Sequence, residues 1–219
     1  MKTVFSLLES THPQTMLEEL GHYPVHQMLI MTLLSARAKD STVIPIVKEF
    51  FRKHPTIENI ANLEIKYLEK AFFKCGFYKI KSKHVKELCH ILKDKFNGKV
   101  PDTLEELTSL PGVGRKTANC ILAYHFKKPA IAVDIHVHRI ANRIGWISTK
   151  NEKESEFALM DLVPKNEWIN VNRLFVGHGQ SICAPRKPQC ELCNIRKHCR
   201  GRIIIILRIY VKLLAIHDS

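Results

Sequence analysis

Acidic residues are scarce in this 219-residue chain: 21 Asp and Glu stand against 34 Lys and Arg, for a formal net charge of +13. So large an excess of positive charge favours a polyanionic partner, nucleic acid first and an anionic membrane second. Glycine and proline are also few, at 9 and 10 residues, while 45% of the chain is hydrophobic. That excludes a low-complexity chain and leaves enough length for one large or two modest domains with real cores. No segment before the C-terminal tail alternates apolar and polar residues with period two, so the expected fold class is all-α. Even the apolar tail, Ile203 to Ile216, is broken by Arg208 and Lys212. It falls short of the ~20 residues that cross a bilayer, so no membrane partner is expected. The first residues, Met1 to Glu9, are too short a stretch and too soon charged for an export signal. The expectation is a cytoplasmic protein in a reducing compartment. Its seven cysteines are an odd number, and the four that cluster then serve a metal rather than disulfides.

What is present is arranged around Leu110-Pro111-Gly112-Val113-Gly114-Arg115-Lys116. Thr103 and Glu106 before it have the spacing of a capping box and start a helix. Thr117 to Phe126 after it is helical in composition. Two helices joined by a glycine-containing turn form a helix-hairpin-helix, in which amides of the turn and of the second helix start face an anion. Gly112, Val113 and Gly114 are the candidate phosphate contacts. Lys116 falls in the first turn of the second helix. A cation is disfavoured at that positive end, so its amine loses its proton more easily and becomes a candidate nucleophile. Set against this is the ordinary reading, a solvated lysine after a common helix–helix turn.

Other stretches add to this. Pro24 opens a helix to Ala36 that is apolar nearly all round, and Asp40 or Ser41 caps the next, where Pro45 belongs in the first turn. Gly76 ends a helix before a run from Lys74 to Lys99 with eight lysines against Glu87 and Asp94. Such a run is ordinarily a solvated face, but the adjacent Phe77-Tyr78 pair suits contact with nucleic acid. Asp134 follows the buried run Ala130 to Val133 and stands as N-cap of a helix from Ile135, its commonest role at such a place. His136 and His138 lie two apart, a poor metal pair. Cys183, Cys190, Cys193 and Cys199 form Cys-x6-Cys-x2-Cys-x5-Cys, a metal-binding set that suits zinc or an iron–sulfur cluster equally by ligand chemistry. Arg186 and Lys187 lie between the first two ligands and make that surface basic. Cys75, Cys89 and Cys120 are scattered and read as inert thiols.

Three elements, in this order, carry a resemblance: Leu110-Pro111-Gly112-Val113-Gly114-Arg115-Lys116-Thr117-Ala118-Asn119, then Val133-Asp134-Ile135-His136-Val137-His138-Arg139, then the four cysteines. The chain closely resembles the endonuclease III family of DNA base-excision glycosylases, in the helix-hairpin-helix Gly-Pro-Asp superfamily, over about residues 2–200. The resemblance implies two helical domains flanking a DNA-binding cleft. One is a six-helix barrel over 18–128; the other joins 1–17 to 129–200 and holds a 4Fe–4S cluster on the four cysteines. The tail, 201–219, is left without a role. The resemblance further implies Lys116 as the lysine nucleophile, Asp134 as the catalytic carboxylate, and a monomer acting on double-stranded DNA with a damaged base or abasic site. Arg37 stands where the family often has glutamine, in the loop that fills the gap left by a flipped base. Phe77 stands where a smaller aliphatic wedge is common.

The resulting reading is a DNA glycosylase with apurinic/apyrimidinic lyase activity on oxidised pyrimidines, nicking the strand by β-elimination. Its rivals are a monofunctional adenine or mismatch thymine glycosylase, which generally lacks the hairpin lysine, and a non-catalytic DNA-binding module stapled by metal, which needs neither Lys116 nor Asp134.

Overall fold

The computed structural model describes residues 1–11, 13 and 15–201, and every regular element among them is helical. The apolar tail, Ile203 to Ile216, lies outside the described residues. The chain divides into two compact units. One is Met16–Ala132; the other joins Met1–Thr15 to the residues from Val133 onward.

The unit Met16–Ala132 contains α2 (Met16–Leu20), α3 (Val25–Ser35), α4 (Asp40–Lys53), α5 (Ile57–Ala61), α6 (Ile65–Ala71), α7 (Tyr78–Phe96), α8 (Leu104–Ser109) and α9 (Arg115–Cys120). Its centre is α3, where every residue from Gln27 to Leu34 is buried, as befits a helix apolar on all sides. Helices α4, α7 and α9 pack against it, and α5 and α6 pack on α7. Thr103 caps α8 by accepting from the Glu106 amide at 3.3 Å, as its spacing predicts. The reciprocal half of the box differs, because the Glu106 carboxylate accepts from the Thr103 hydroxyl at 2.8 Å.

Three local expectations are corrected. Helix α4 begins at Asp40 with Lys39 at the N-cap position, so Asp40 and Ser41 both lie inside the helix. Pro45 is the sixth helical residue, past the first turn, and deprives the Ser41 carbonyl of its amide partner. Helix α6 ends at Ala71, and the left-handed residue before α7 is Phe77, not Gly76. The segment after α9 stays helical but widens into a π-helical turn, Ile121–His125, in which the Phe126 amide reaches back five residues to the Ile121 carbonyl at 3.2 Å.

The second unit contains α1 (Lys2–Glu9), α10 (Ile135–Ile144), α11 (Glu152–Leu162) and α12 (Trp168–Ser181). Helix α12 packs against α10 and α1. Val4, Phe5 and Leu8 form the buried face of α1, and Phe5 meets Trp146 edge-on at 5.3 Å beside Phe175. Arg173 pairs both guanidinium nitrogens with Glu9, which ties α1 to α12. Asn151 caps α11 through the Glu154 amide at 2.9 Å.

The two kinds of contact differ in weight. Leu29 is wholly buried in α3, so Leu29→Ala is expected to lower unfolding free energy by about 3 kcal/mol. Thr103→Ala removes one cap and is expected to cost about 1 kcal/mol. Urea unfolding of the two variants measures both, and equal losses would contradict the central place given to α3.

Candidate functional site

The hairpin is built by its own sequence. Leu110 to Val113 closes a turn in which the Val113 amide donates to the Leu110 carbonyl at 3.1 Å. Pro111 occupies the second position and Gly112 the third, with φ +75, the arrangement of a type II turn. Gly112 is needed there twice over: its backbone is left-handed, and a Cβ would stand 2.6 Å from Nδ1 of His84 on α7. Gly114 is the N-cap of α9 and has no side chain with which to cap it. Helices α8 and α9 pack together, which brings Lys116, half-buried, to the second residue of α9 behind the turn. Val113 is buried and its amide closes the turn, so of the three expected hairpin contacts it is Gly112 and Gly114 that present exposed backbone. Asn119 anchors α9 by donating to the Ile131 carbonyl at 3.1 Å.

Asp134 caps α10. One oxygen, Oδ1, accepts from the amides of His136 at 2.8 Å and Val137 at 2.9 Å; Oδ2 takes no part in the cap. The carboxylate is half-buried and its direction is set by the helix it starts. His138 is structural, its Nδ1 2.7 Å from Oγ of the buried Ser155. His136 lies 3.0 Å from a guanidinium nitrogen of Arg139.

Farther along α10, Arg139 and Arg143 hold the first cysteine loop. Arg139 donates to the Cys183 carbonyl at 2.8 Å, and Arg143 to the Ala184 carbonyl at 2.7 Å and to Cys183 Sγ at 3.3 Å. Cys183, Cys190, Cys193 and Cys199 all line one cavity of about 380 Å³, with Ile140, Ile144, Ile195 and the cationic Arg143 and Arg196 around it. Burial, with the neighbouring thiols, raises Cys190; burial likewise raises Cys193. His178 is buried 3.6 Å from Cys193 Sγ, and burial lowers its pKa to about 4, so it is neutral at ordinary pH. Among the described residues no three His, Cys, Asp or Glu side chains converge on one point as a single ion requires. Arg186 and Lys187 are exposed on the loop between the first two cysteines, as their sequence setting predicts. Cys75, Cys89 and Cys120 are buried core thiols, Cys89 pushed up to about 12 by burial.

Residues 30–165, more than half of the chain, match the HhH-GPD superfamily of base excision DNA repair proteins. Endonuclease III of Thermotoga maritima is 43% identical over 173 residues, which are 79% of this chain and 81% of that protein. This chain belongs to the endonuclease III family. Its fold is similar to that of a trapped endonuclease III–DNA covalent intermediate, an estranged-adenine complex, with TM-score 0.83 and 33% identity over 91% of this chain and 94% of that one. A thermostable thymine-DNA glycosylase is also similar, with TM-score 0.79 and 26% identity over 91% of this chain and 93% of that one.

Within this endonuclease III relative, Arg37 and Phe77 are both exposed, both left-handed at φ 56 and φ 60, and paired, the guanidinium carbon 5.9 Å from the ring centroid. Their pairing joins loops forty residues apart and has no signature in either loop alone. Sequence reasoning also missed Lys81, a lysine of the supposedly solvated run that is buried with its amine on two carbonyls. It missed His84 against Gly112 as well; the available sign of an inward face was helical spacing, since Lys81 precedes the apolar Val85, Leu88 and Leu92 by four, seven and eleven residues and shares their buried face.

Gly112→Ala is expected to lower stability by about 1 to 2 kcal/mol, from the left-handed backbone and the crowding of His84. Gly114→Ala meets open space and is expected to cost less. Thermal unfolding compares the two, and a Gly112→Ala protein as stable as the parent would refute the turn assignment.

Proposed function

We propose that this chain is a bifunctional DNA glycosylase and apurinic/apyrimidinic lyase that removes oxidised pyrimidines from duplex DNA. The observation that carries this reading is Lys116 in the first turn of α9, directly behind the hairpin, in a chain of the endonuclease III family. Likeness to a relative trapped covalently on DNA supports a covalent route. Exposed backbone at Gly112 and Gly114 meets a DNA phosphate, which fixes register without reading sequence. The unit Met16–Ala132, which among its described residues holds the eight helices α2 to α9, is read as the barrel domain expected over 18–128, and the other as the cluster domain.

A damaged base is out of reach inside the stack, so its nucleotide is first flipped out. The neutral Lys116 amine attacks C1′ of the deoxyribose and the C1′–N bond to the base breaks, the base leaving with a proton. The C1′–O4′ bond then breaks as the nitrogen lone pair forms a C1′=Nζ double bond, and the ring oxygen takes up a proton from solvent, giving a protonated Schiff base between Nζ and C1′. Loss of the C2′ proton then expels the 3′ phosphate by β-elimination and nicks the strand. Asp134 takes the amine proton or steadies positive charge on the sugar through the oxygen its cap leaves over. Arg37 and Phe77 enter the duplex where the base was, and Arg186 and Lys187 hold its backbone.

The four cysteines line one cavity of about 380 Å³ and fit a 4Fe–4S cluster, which takes four thiolate ligands. A cluster with four thiolate ligands is net anionic, and Arg143 and Arg196 line that cavity. When bound, the group braces the basic loop and has no part in the chemistry. Purified protein is expected to carry about four irons and broad visible absorption, both lost in Cys199→Ser. Zinc in place of iron, with no visible band, would overturn the cluster.

Duplex DNA carrying thymine glycol or an abasic site, treated with the protein and borohydride, is expected to give a covalent adduct that disappears in Lys116→Ala. An adduct that persists there would refute the lysine assignment, and base release without an adduct would favour a monofunctional glycosylase. Asparagine also caps helices well. Asp134→Asn is therefore expected to keep its melting temperature and DNA affinity and to lose about a hundredfold in turnover. Unchanged turnover would leave Asp134 a cap alone.

A further inference from the structure

Lys81 sits in the first turn of α7 with only 6% of its surface exposed. Its Nζ donates to the Leu34 carbonyl at 2.8 Å and to the Ala36 carbonyl at 2.6 Å. These carbonyls lie where α3 stops and its backbone acceptors lose their helical partners. A cation there also meets the negative end of the helix. Burial holds the amine below the usual lysine range, with the buried Cys75 as a lesser opposing influence. A buried ammonium persists only where such partners are supplied.

The residue after Ala36 is Arg37, held left-handed at φ 56. Opposite it stands Phe77, left-handed at φ 60 and 63% exposed. A non-glycine residue in that region costs roughly 1 kcal/mol or more and persists only where its surroundings over-determine it. Here the surroundings are visible. Lys81 fixes the carbonyl before Arg37, the Arg37 carbonyl lies where a Cβ on Gly76 would meet it at 3.3 Å, and the guanidinium lies over the Phe77 ring. Both side chains are exposed, so the core does not require them to be arranged this way.

We propose that Lys81 is a positioning residue: by holding the last carbonyls of α3 it sets the turn at Arg37, so that Arg37 and Phe77 form one preformed cation–aromatic blade rather than two loose loop tips. The proposal rests on the repair function above, because the duplex is what the blade enters. A side chain ordered before insertion loses less conformational freedom on insertion, and the gain falls on duplex substrates. Single-stranded abasic DNA has no opposing strand to open, so the blade brings it nothing while the reaction at Lys116 is the same.

The test compares the parent, Lys81→Met, Arg37→Ala and the double variant on one abasic sequence, single-stranded and duplex, with borohydride trapping under single-turnover conditions. Lys81→Met is expected to trap single-stranded DNA at the parental rate and duplex about tenfold more slowly. In the Arg37→Ala background Lys81→Met is expected to add no further loss. By proton NMR, the Arg37 side-chain resonances are expected upfield in the parent, in the shielding region of the Phe77 ring, and near random-coil positions in Lys81→Met. Equal loss on both substrates, a further loss in the Arg37→Ala background, or unmoved Arg37 resonances would each overturn the positioning role. If Lys81→Met does not fold, Lys81→Gln, a neutral donor on a shorter stem, enters the same cycle. A parent that traps neither substrate would instead sink the lyase reading, and the NMR comparison would still decide how Lys81 acts on Arg37.

Discussion

Every α-helix ends in backbone groups that its own ladder cannot pair, amides at the start and carbonyls at the finish. The candidate machinery of this chain stands on those ends. The start of α9 has Gly114 as its cap, a residue without a capping side chain, and Lys116 lies just inside. The start of α10 is satisfied by Asp134, which spends one oxygen on two amides. The end of α3 is satisfied by Lys81, and the start of α7 follows left-handed Phe77. Helix interiors supply the core, and their ends supply directed polar groups at fixed positions.

Positive charge is distributed by the same logic. A net +13 is large, but not all of it is offered to a partner. Lys81 and Lys86 spend their amines on the backbone carbonyls of Leu34, Ala36 and Leu63. Arg139 and Arg143 spend theirs on the loop that carries Cys183. Arg186 and Lys187 remain exposed on that loop. A cation buried against carbonyls stiffens the scaffold; one left in water adds to long-range attraction for a polyanion.

Much of the fold was legible because its signals are local. The all-round apolar run of α3, the Thr103 cap and the Pro111-Gly112 turn each depend on neighbours within a few positions. The misreadings differ in reach. Asp40 is a good cap residue by type, but the chain enters α4 one residue earlier. Gly76 is the natural left-handed residue, yet that conformation falls on Phe77, because Gly76 faces the Arg37 carbonyl and Arg37 faces the Phe77 ring. Such a choice depends on a loop forty residues away, which residue preferences do not contain.

Sequence alone determined the helical class, the hairpin and its lysine, the capping aspartate and the cysteine spacing, since each is written in residues adjacent along the chain. Tertiary structure alone decided which lysines of the Lys74 to Lys99 run face water and that the four cysteines surround one cavity. It also decided that Arg37 and Phe77 meet over a buried amine. Those are facts of packing between distant segments. Burial and pairing depend on what lies across space, and a lysine looks the same along the chain whether it meets water or the end of another helix.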